Sequence, residues 1–128
     1  MAEGSYPDGL LYHAEHDWAL VDGDVATFGI TWFAQEALGE VVFFDPPEVG
    51  TSVTANDFYA EVESVKAVSE VIAPLSGEIV EVNTALGDSP EAINEDPYEG
   101  GWMVKVKLSD PSEVDALLDR DAYVSSLA

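Results

Sequence analysis

Residues 58–73, Phe58-Tyr59-Ala60-Glu61-Val62-Glu63-Ser64-Val65-Lys66-Ala67-Val68-Ser69-Glu70-Val71-Ile72-Ala73, read as two β-strands with a lysine at the bend between them. In the first half Phe58, Ala60, Val62 and Ser64 alternate with Tyr59, Glu61, Glu63 and Val65, the period of a strand with two unlike faces. A second strand is expected over 68–73. Lys66 then sits at a hairpin tip, its side chain projecting into solvent from a stiff support. The chain has two other lysines, Lys105 and Lys107, which alternate along Val104-Lys105-Val106-Lys107. They read as the solvent face of a strand, where they would discourage edge pairing. Glu63 and Glu70 near Lys66 favour its charged ammonium, which suits it poorly to act as a catalytic amine. A lysine at a tight turn is accessible to an enzyme that acylates it. The plain alternative is an exposed turn lysine in a surface ion pair worth at most about 1 kcal/mol.

Outward from this hairpin, residues 10–13, 18–21 and 25–30 read as short strands. The last two are joined by Asp22-Gly23, a hairpin turn in which glycine accepts positive φ. Thr31 offers an N-cap to a short helix over 32–38 that Gly39 closes. Further strands are expected over 40–44, stopped by Pro46-Pro47, over 78–82 after a turn at 74–77, and over 102–108. Val49-Gly50 opens a turn and residues 90–94 suggest a helical turn. Residues 109–118 read as an amphipathic helix with an Asp or Ser cap, Pro111 in its first turn, and Val114, Leu117 and Leu118 on one face. Many short strands separated by turn signals point to a small barrel or sandwich. Gly39-Glu40-Val41-Val42 is echoed by Gly77-Glu78-Ile79-Val80, and Val49-Gly50-Thr51-Ser52 by Leu86-Gly87-Asp88-Ser89, at nearly the same offset. The echo hints at two similar halves around Lys66.

Composition narrows the function classes. The 128 residues suit one domain. Four Lys and Arg against 26 Asp and Glu leave a formal charge of -22, which cannot track a nucleic-acid backbone and is repelled by anionic lipid. The charge also favours a soluble monomer, and it fits adaptation to high internal salt; that adaptation predicts a urea midpoint rising steeply between low and molar KCl. Cysteine is absent, which excludes disulfides, thiolate metal sites and a thiol nucleophile from the chain. No apolar run reaches the roughly 18 residues of a spanning helix, and Met1-Ala2-Glu3-Gly4-Ser5 lacks a basic-then-apolar signal. The expected location is the cytoplasm, or the mitochondrial matrix or plastid for a processed organellar form. His13 and His16 make a conceivable metal pair but lack a third ligand at a recognised spacing.

Further motifs converge on one family. They are His16-Asp17-Trp18, Gly29-Ile30-Thr31, Ala34-Gln35, Leu38-Gly39-Glu40-Val41-Val42-Phe43, Glu63-Ser64-Val65-Lys66-Ala67, Ala73-Pro74-Leu75-Ser76-Gly77-Glu78, Val82-Asn83, Asn94-Glu95-Asp96-Pro97-Tyr98 and Gly101-Trp102. Together they resemble the H protein of the glycine cleavage system, over roughly residues 10–124. The resemblance implies a mainly β barrel-sandwich hybrid of the lipoyl- and biotinyl-carrier kind, with two related β halves, short peripheral helices and a C-terminal helix. Residues 1–128 would form a single lipoyl-carrier domain. It implies lipoic acid in amide linkage on Lys66, with Glu63, Ser64, Val65 and Ala67 completing the modification motif. It further implies a carrier, not an autonomous enzyme. The partners would be glycine decarboxylase (P protein), the tetrahydrofolate-dependent aminomethyltransferase (T protein), dihydrolipoamide dehydrogenase (L protein), and a lipoate ligase or octanoyltransferase.

An aminomethyl cargo left in water would be lost as formaldehyde and ammonia. The family holds its arm in a surface cleft where acidic side chains grip the amine, and the matching positions are Asp17 and Glu70. The family usually has Glu at the first and Asp at the second, so both charges are kept with the lengths exchanged. Trp32 stands where the family often has an acid, a place from which an indole would be exposed, pack over the cleft or touch a partner. Val71-Ile72 replaces the commoner Leu-Tyr. Biotin carriers usually have Met on both sides of their lysine, and lipoyl domains of 2-oxoacid dehydrogenases usually have Asp before it; Val65 and Ala67 fit neither. A lipoyl or octanoyl relay to other lipoyl domains is the alternative role.

Overall fold

A computed structural model of the chain describes residues 6–127. The strands are β1 (Leu11–His13), β2 (Asp17–Asp22), β3 (Val25–Ile30), β4 (Val41–Asp45), β5 (Ser52–Val53), β6 (Phe58–Ser64), β7 (Val68–Ile72), β8 (Gly77–Val82) and β9 (Val104–Leu108). The helices are α1 (Trp32–Leu38), the one-turn α2 (Ala85–Asp88) and α3 (Ala92–Glu95), a 3-10 helix (Pro111–Ala116) and α4 (Arg120–Ser126). One antiparallel sheet of six strands runs β1-β2-β3-β9-β8-β5, and a second of three runs β4-β6-β7. The inner faces pack together through Phe28, Val62, Val71, Leu75, Ile79, Met103, Val104 and Val106, all fully buried. The fold is therefore mainly β with short helices and a C-terminal helix, as the sequence leads one to expect.

A smaller aromatic cluster closes the β1–β2 end. Tyr12 and Tyr123 stack with centroids 4.8 Å apart, and Trp18 lies beside them. The Trp18 indole N–H donates to the Pro97 carbonyl at 3.1 Å. Gly29 makes room for the ring, since a Cβ there would stand 2.6 Å from it. Truncating a buried aromatic of this size costs about 3–5 kcal/mol.

Several sequence expectations change. The helix expected over 109–118 is a six-residue 3-10 segment. Pro111 lacks an N–H, and Asp110 accepts the Ser112 N–H at 3.2 Å to start the turn. Leu118 must leave helical geometry because its backbone pairs with Tyr12 in both directions at 2.8 Å. Val114 and Leu117 still pack on the main core, whereas Leu118 joins the aromatic cluster. The C-terminal helix is α4, capped by Asp119, which accepts the Ala122 N–H at 2.8 Å. Strand β5 and helix α2 escape the alternation because each is too short to show a period. Strand β9 is not an edge: it pairs with β3 and β8, so Lys105 and Lys107 guard no free edge. Lys105 instead meets Glu81 at 3.8 Å and lies 5.3 Å above the Trp102 ring.

The first echo pair opens β4 in one sheet and β8 in the other. The second pair diverges, because residues 49–52 turn into β5 while residues 86–89 belong to α2 and its end.

Candidate functional site

The bend after β6 is closed by its own residues. The Ser64 N–H donates to the Ala67 carbonyl at 2.8 Å, and Ser64 Oγ accepts the N–H groups of Lys66 (3.2 Å) and Ala67 (3.1 Å). Ser64 is buried, while Val65, Lys66 and Ala67 are exposed, Val65 at 66%. The Val65 N–H donates to the Glu40 carbonyl at 3.0 Å, tying the tip to the segment before β4. Asn94 clamps that segment. Its side-chain amide donates to the Gly39 carbonyl (2.8 Å) and to Gln35 Oε1 (3.0 Å), and its Oδ1 accepts the Val41 N–H (2.8 Å). The tip is thus exposed and rigid at once.

The Lys66 side chain lies over Gly39. A Cβ at Gly39 would stand 3.3 Å from Lys66 Cε, and the φ of +82° is itself a glycine conformation. Gly39 and Asn94 both lie in the family motifs, but their support of the lysine depends on how the α1–β4 turn and α3 fold under the tip.

A cleft of about 330 Å³ begins at Ala67, the residue after Lys66, and runs between α1 and β7 to Asp17. Ile30, Leu38, Val62 and Val71 give it apolar walls; Glu15, His16 and Glu70 supply polar groups. The two acids picked out in the sequence therefore share one cleft, in unlike settings. Glu70 is exposed on the outer face of β7, in register with Glu61, which also faces Asp45. Like charges directly opposite destabilise a sheet. Glu63 shares that face, between Phe43 and Val68.

Asp17, at the start of β2, is 2% exposed, and its Oδ2 has no hydrogen-bond partner. Burial pushes its carboxyl well above the usual carboxylate range. A hydrogen bond from the Ile72 backbone acts in the opposite sense, and nearby Glu15 adds to the rise.

His16 has φ +76°, a strain of about 1–2 kcal/mol for a residue other than glycine. The turn carries its ring against Phe33, centroids 4.4 Å apart, and its Nδ1 to within 2.8 Å of the Tyr123 hydroxyl. That hydroxyl also meets Thr31 Oγ1 at 2.8 Å. Burial lowers the His16 pKa and pushes Tyr123 up to about 12, so a neutral ring, a neutral phenol and the Thr31 hydroxyl form one hydrogen-bonded chain. The aromatic that lines the cleft is Phe33, not Trp32; one residue on a helix is enough to change the face. His13 is engaged separately, its Nε2 2.6 Å from Asn56 Oδ1. Among the described residues no group of three His, Cys, Asp or Glu is placed to hold a metal ion, and no helix is long and apolar enough to cross a membrane.

An apolar cleft that starts beside an exposed lysine and ends at a buried carboxyl with one oxygen unpartnered suits a flexible arm on that lysine with an apolar stem and a cationic end. Comparison with known proteins identifies the family. The glycine cleavage H-protein family model matches residues 10–128. The glycine cleavage system H protein of Symbiobacterium thermophilum is 53% identical over 117 residues, covering 91% of both chains. That of Vibrio campbellii is 55% identical over 119 residues, covering 92% of this chain and 94% of the other. The crystal structure of a glycine cleavage system H protein from Mycobacterium marinum superposes with a TM-score of 0.87 at 43% identity, covering 94% of this chain and 98% of that one.

Proposed function

The chain belongs to the glycine cleavage H-protein family, and on that premise we propose that residues 1–128 act as one carrier domain bearing lipoic acid in amide linkage on Lys66. The group supplies a dithiolane that takes up and releases an aminomethyl unit. The chain receives that unit from glycine decarboxylase and passes it to the tetrahydrofolate-dependent aminomethyltransferase. It is then reoxidised by dihydrolipoamide dehydrogenase, after an initial acylation by a lipoate ligase or octanoyltransferase. The reading makes the chain a cytoplasmic monomer with no catalysis of its own.

The observation that carries it is the cleft running from beside Lys66 to the orphaned Asp17 oxygen. Ser64 and Asn94 hold the tip where a modifying enzyme reaches the lysine. Ile30, Leu38, Val62 and Val71 offer the stem an apolar bed. Asp17 and Glu70 hold the cationic amine, which is favoured by Coulomb attraction in a partly dry cleft. The absence of cysteine leaves no native thiol to exchange with the arm.

The test is intact mass after co-expression with a lipoate ligase. One added lipoyl group mapped to Lys66, followed by glycine-dependent carbon dioxide exchange with glycine decarboxylase, is expected. Modification at Lys105 or Lys107, or none at all, defeats the site assignment; lipoylation of Lys66 without exchange defeats the glycine-cleavage role.

A further inference from the structure

We propose that Asp17 keeps a proton while the cleft is empty and gives it up when the cargo's primary amine arrives, so that the amine is stored as an ammonium against a carboxylate created in place. The inference rests on the cleft being the resting place of the loaded arm.

Among the described residues, the surroundings of Asp17 offer no charge to balance a carboxylate. From the β1–β2 turn come Glu15, an anion, and His16, which burial keeps neutral. From β7 come Glu70 and the Ile72 backbone N–H. From β6 and α4 come the Tyr59 and Tyr123 hydroxyls, both held neutral by burial. The cations lie elsewhere: Lys105 with Glu81, Arg120 with Asp121, Lys107 opposite Val25 and Glu78, and Lys66 over Gly39. An isolated buried carboxylate is far more costly than the neutral acid, so the empty cleft favours the proton. A cationic amine reverses the balance, because an opposite charge at hydrogen-bond distance favours the ionised form.

The chemistry of the cargo gives the proton a purpose. An amine and a thioether on one carbon fall apart when the nitrogen lone pair expels the thiolate. A protonated nitrogen has no lone pair to give. For an amine arriving neutral, the Asp17 O–H bond breaks and an N–H bond forms, with no change in oxidation state. For one arriving as ammonium, the Asp17 proton leaves to water and the same ion pair results. On undocking, the carboxylate takes a proton back.

The experiment uses the lipoylated chain, unloaded and then loaded by glycine and glycine decarboxylase, followed by infrared difference spectroscopy against Asp17→Asn. A carboxylic-acid carbonyl band is expected at neutral pH in the unloaded chain, absent from Asp17→Asn, retained in Glu70→Gln, and lost on loading. A carboxylate at Asp17 in the unloaded chain overturns the inference. The decay of the loaded chain separates this from the parent reading. Asp17→Asn is expected to hasten decay about tenfold or more, the loss of one charge-assisted hydrogen bond. Faster decay together with an ionised Asp17 in the unloaded chain leaves the cleft reading standing and removes the proton; unchanged decay removes both.

Discussion

At the Lys66 end of the cleft the polar groups of the bend are put to use: Ser64 closes the turn, Glu40 receives the Val65 N–H, and Asn94 holds the strand start beneath it. At the Asp17 end a carboxyl oxygen is buried without a partner. The two ends are joined by one apolar cleft, yet they are built to opposite demands. On the proposed reading, the lysine must stand still in water while an enzyme reaches it, which suits a support that is complete before anything binds. On the same reading the carboxyl must gain from binding, which suits hydrogen bonding that is left incomplete. A buried polar group without a partner costs about 1–3 kcal/mol, a strain that a fold keeps where a ligand will relieve it.

The contrast is tested most severely at the lysine. Lys66→Arg keeps the charge and the turn but removes the acylated amine, and intact mass is expected to show no lipoyl group, with a melting temperature close to that of the parent. Asp17→Asn comes next and carries two signs. The loaded chain decays about tenfold or more faster, while the unloaded chain gains about 1–3 kcal/mol in urea unfolding at neutral pH. The pH dependence follows from the raised Asp17 pKa. The unfolded chain releases this proton above about 3.9 while the folded chain retains it, so the Asp17 contribution to stability falls as pH rises through and above that value. The stability difference between the parent and Asp17→Asn should accordingly be smallest in acid and widest above neutral; a difference independent of pH would contradict the buried acid.

Gly39→Ala is expected to cost about 1–2 kcal/mol from its positive φ and to slow acylation, since the new Cβ presses on the Lys66 stem. Urea midpoints and initial rates of lipoylation check the two parts. Glu70→Gln, on an exposed face, is the mildest: decay of the loaded chain should rise by a few-fold at most, as for a surface ion pair worth up to about 1 kcal/mol. An effect of Glu70→Gln equal to that of Asp17→Asn would erase the distinction between a wet rim and a dry floor.

The lysine end was legible in the sequence, because an alternating strand, a short break and a second strand put Lys66 at a tip whatever the rest of the fold does. The Asp17 end was not. In the string His16-Asp17-Trp18 the acid reads like any of 26, and its burial depends on β7, remote in sequence, bringing Ile72 to it. Only the resemblance singled it out. The repeated Gly-Glu-aliphatic segments show the same limit. Gly39 is required by positive φ and by the lysine above it, whereas Gly77 is required because a Cβ would run into the Lys107 carbonyl oxygen. Two like strings answer to different neighbours. The 3-10 segment was misread for a related reason, since the pairing of Leu118 with Tyr12 is invisible to a local pattern.

Tyr123 links His16 and Thr31 from α4, more than ninety positions away in sequence from either. While the chain is being synthesised, the wall around His16 therefore lacks its final brace until α4 has emerged and docked. The hydrogen bonds that brace the Lys66 bend come from residues no later than Asn94. On the proposed reading, a ribosome-bound chain stalled after β9 and before α4 would hold every brace of its lysine beside a harbour not yet walled in.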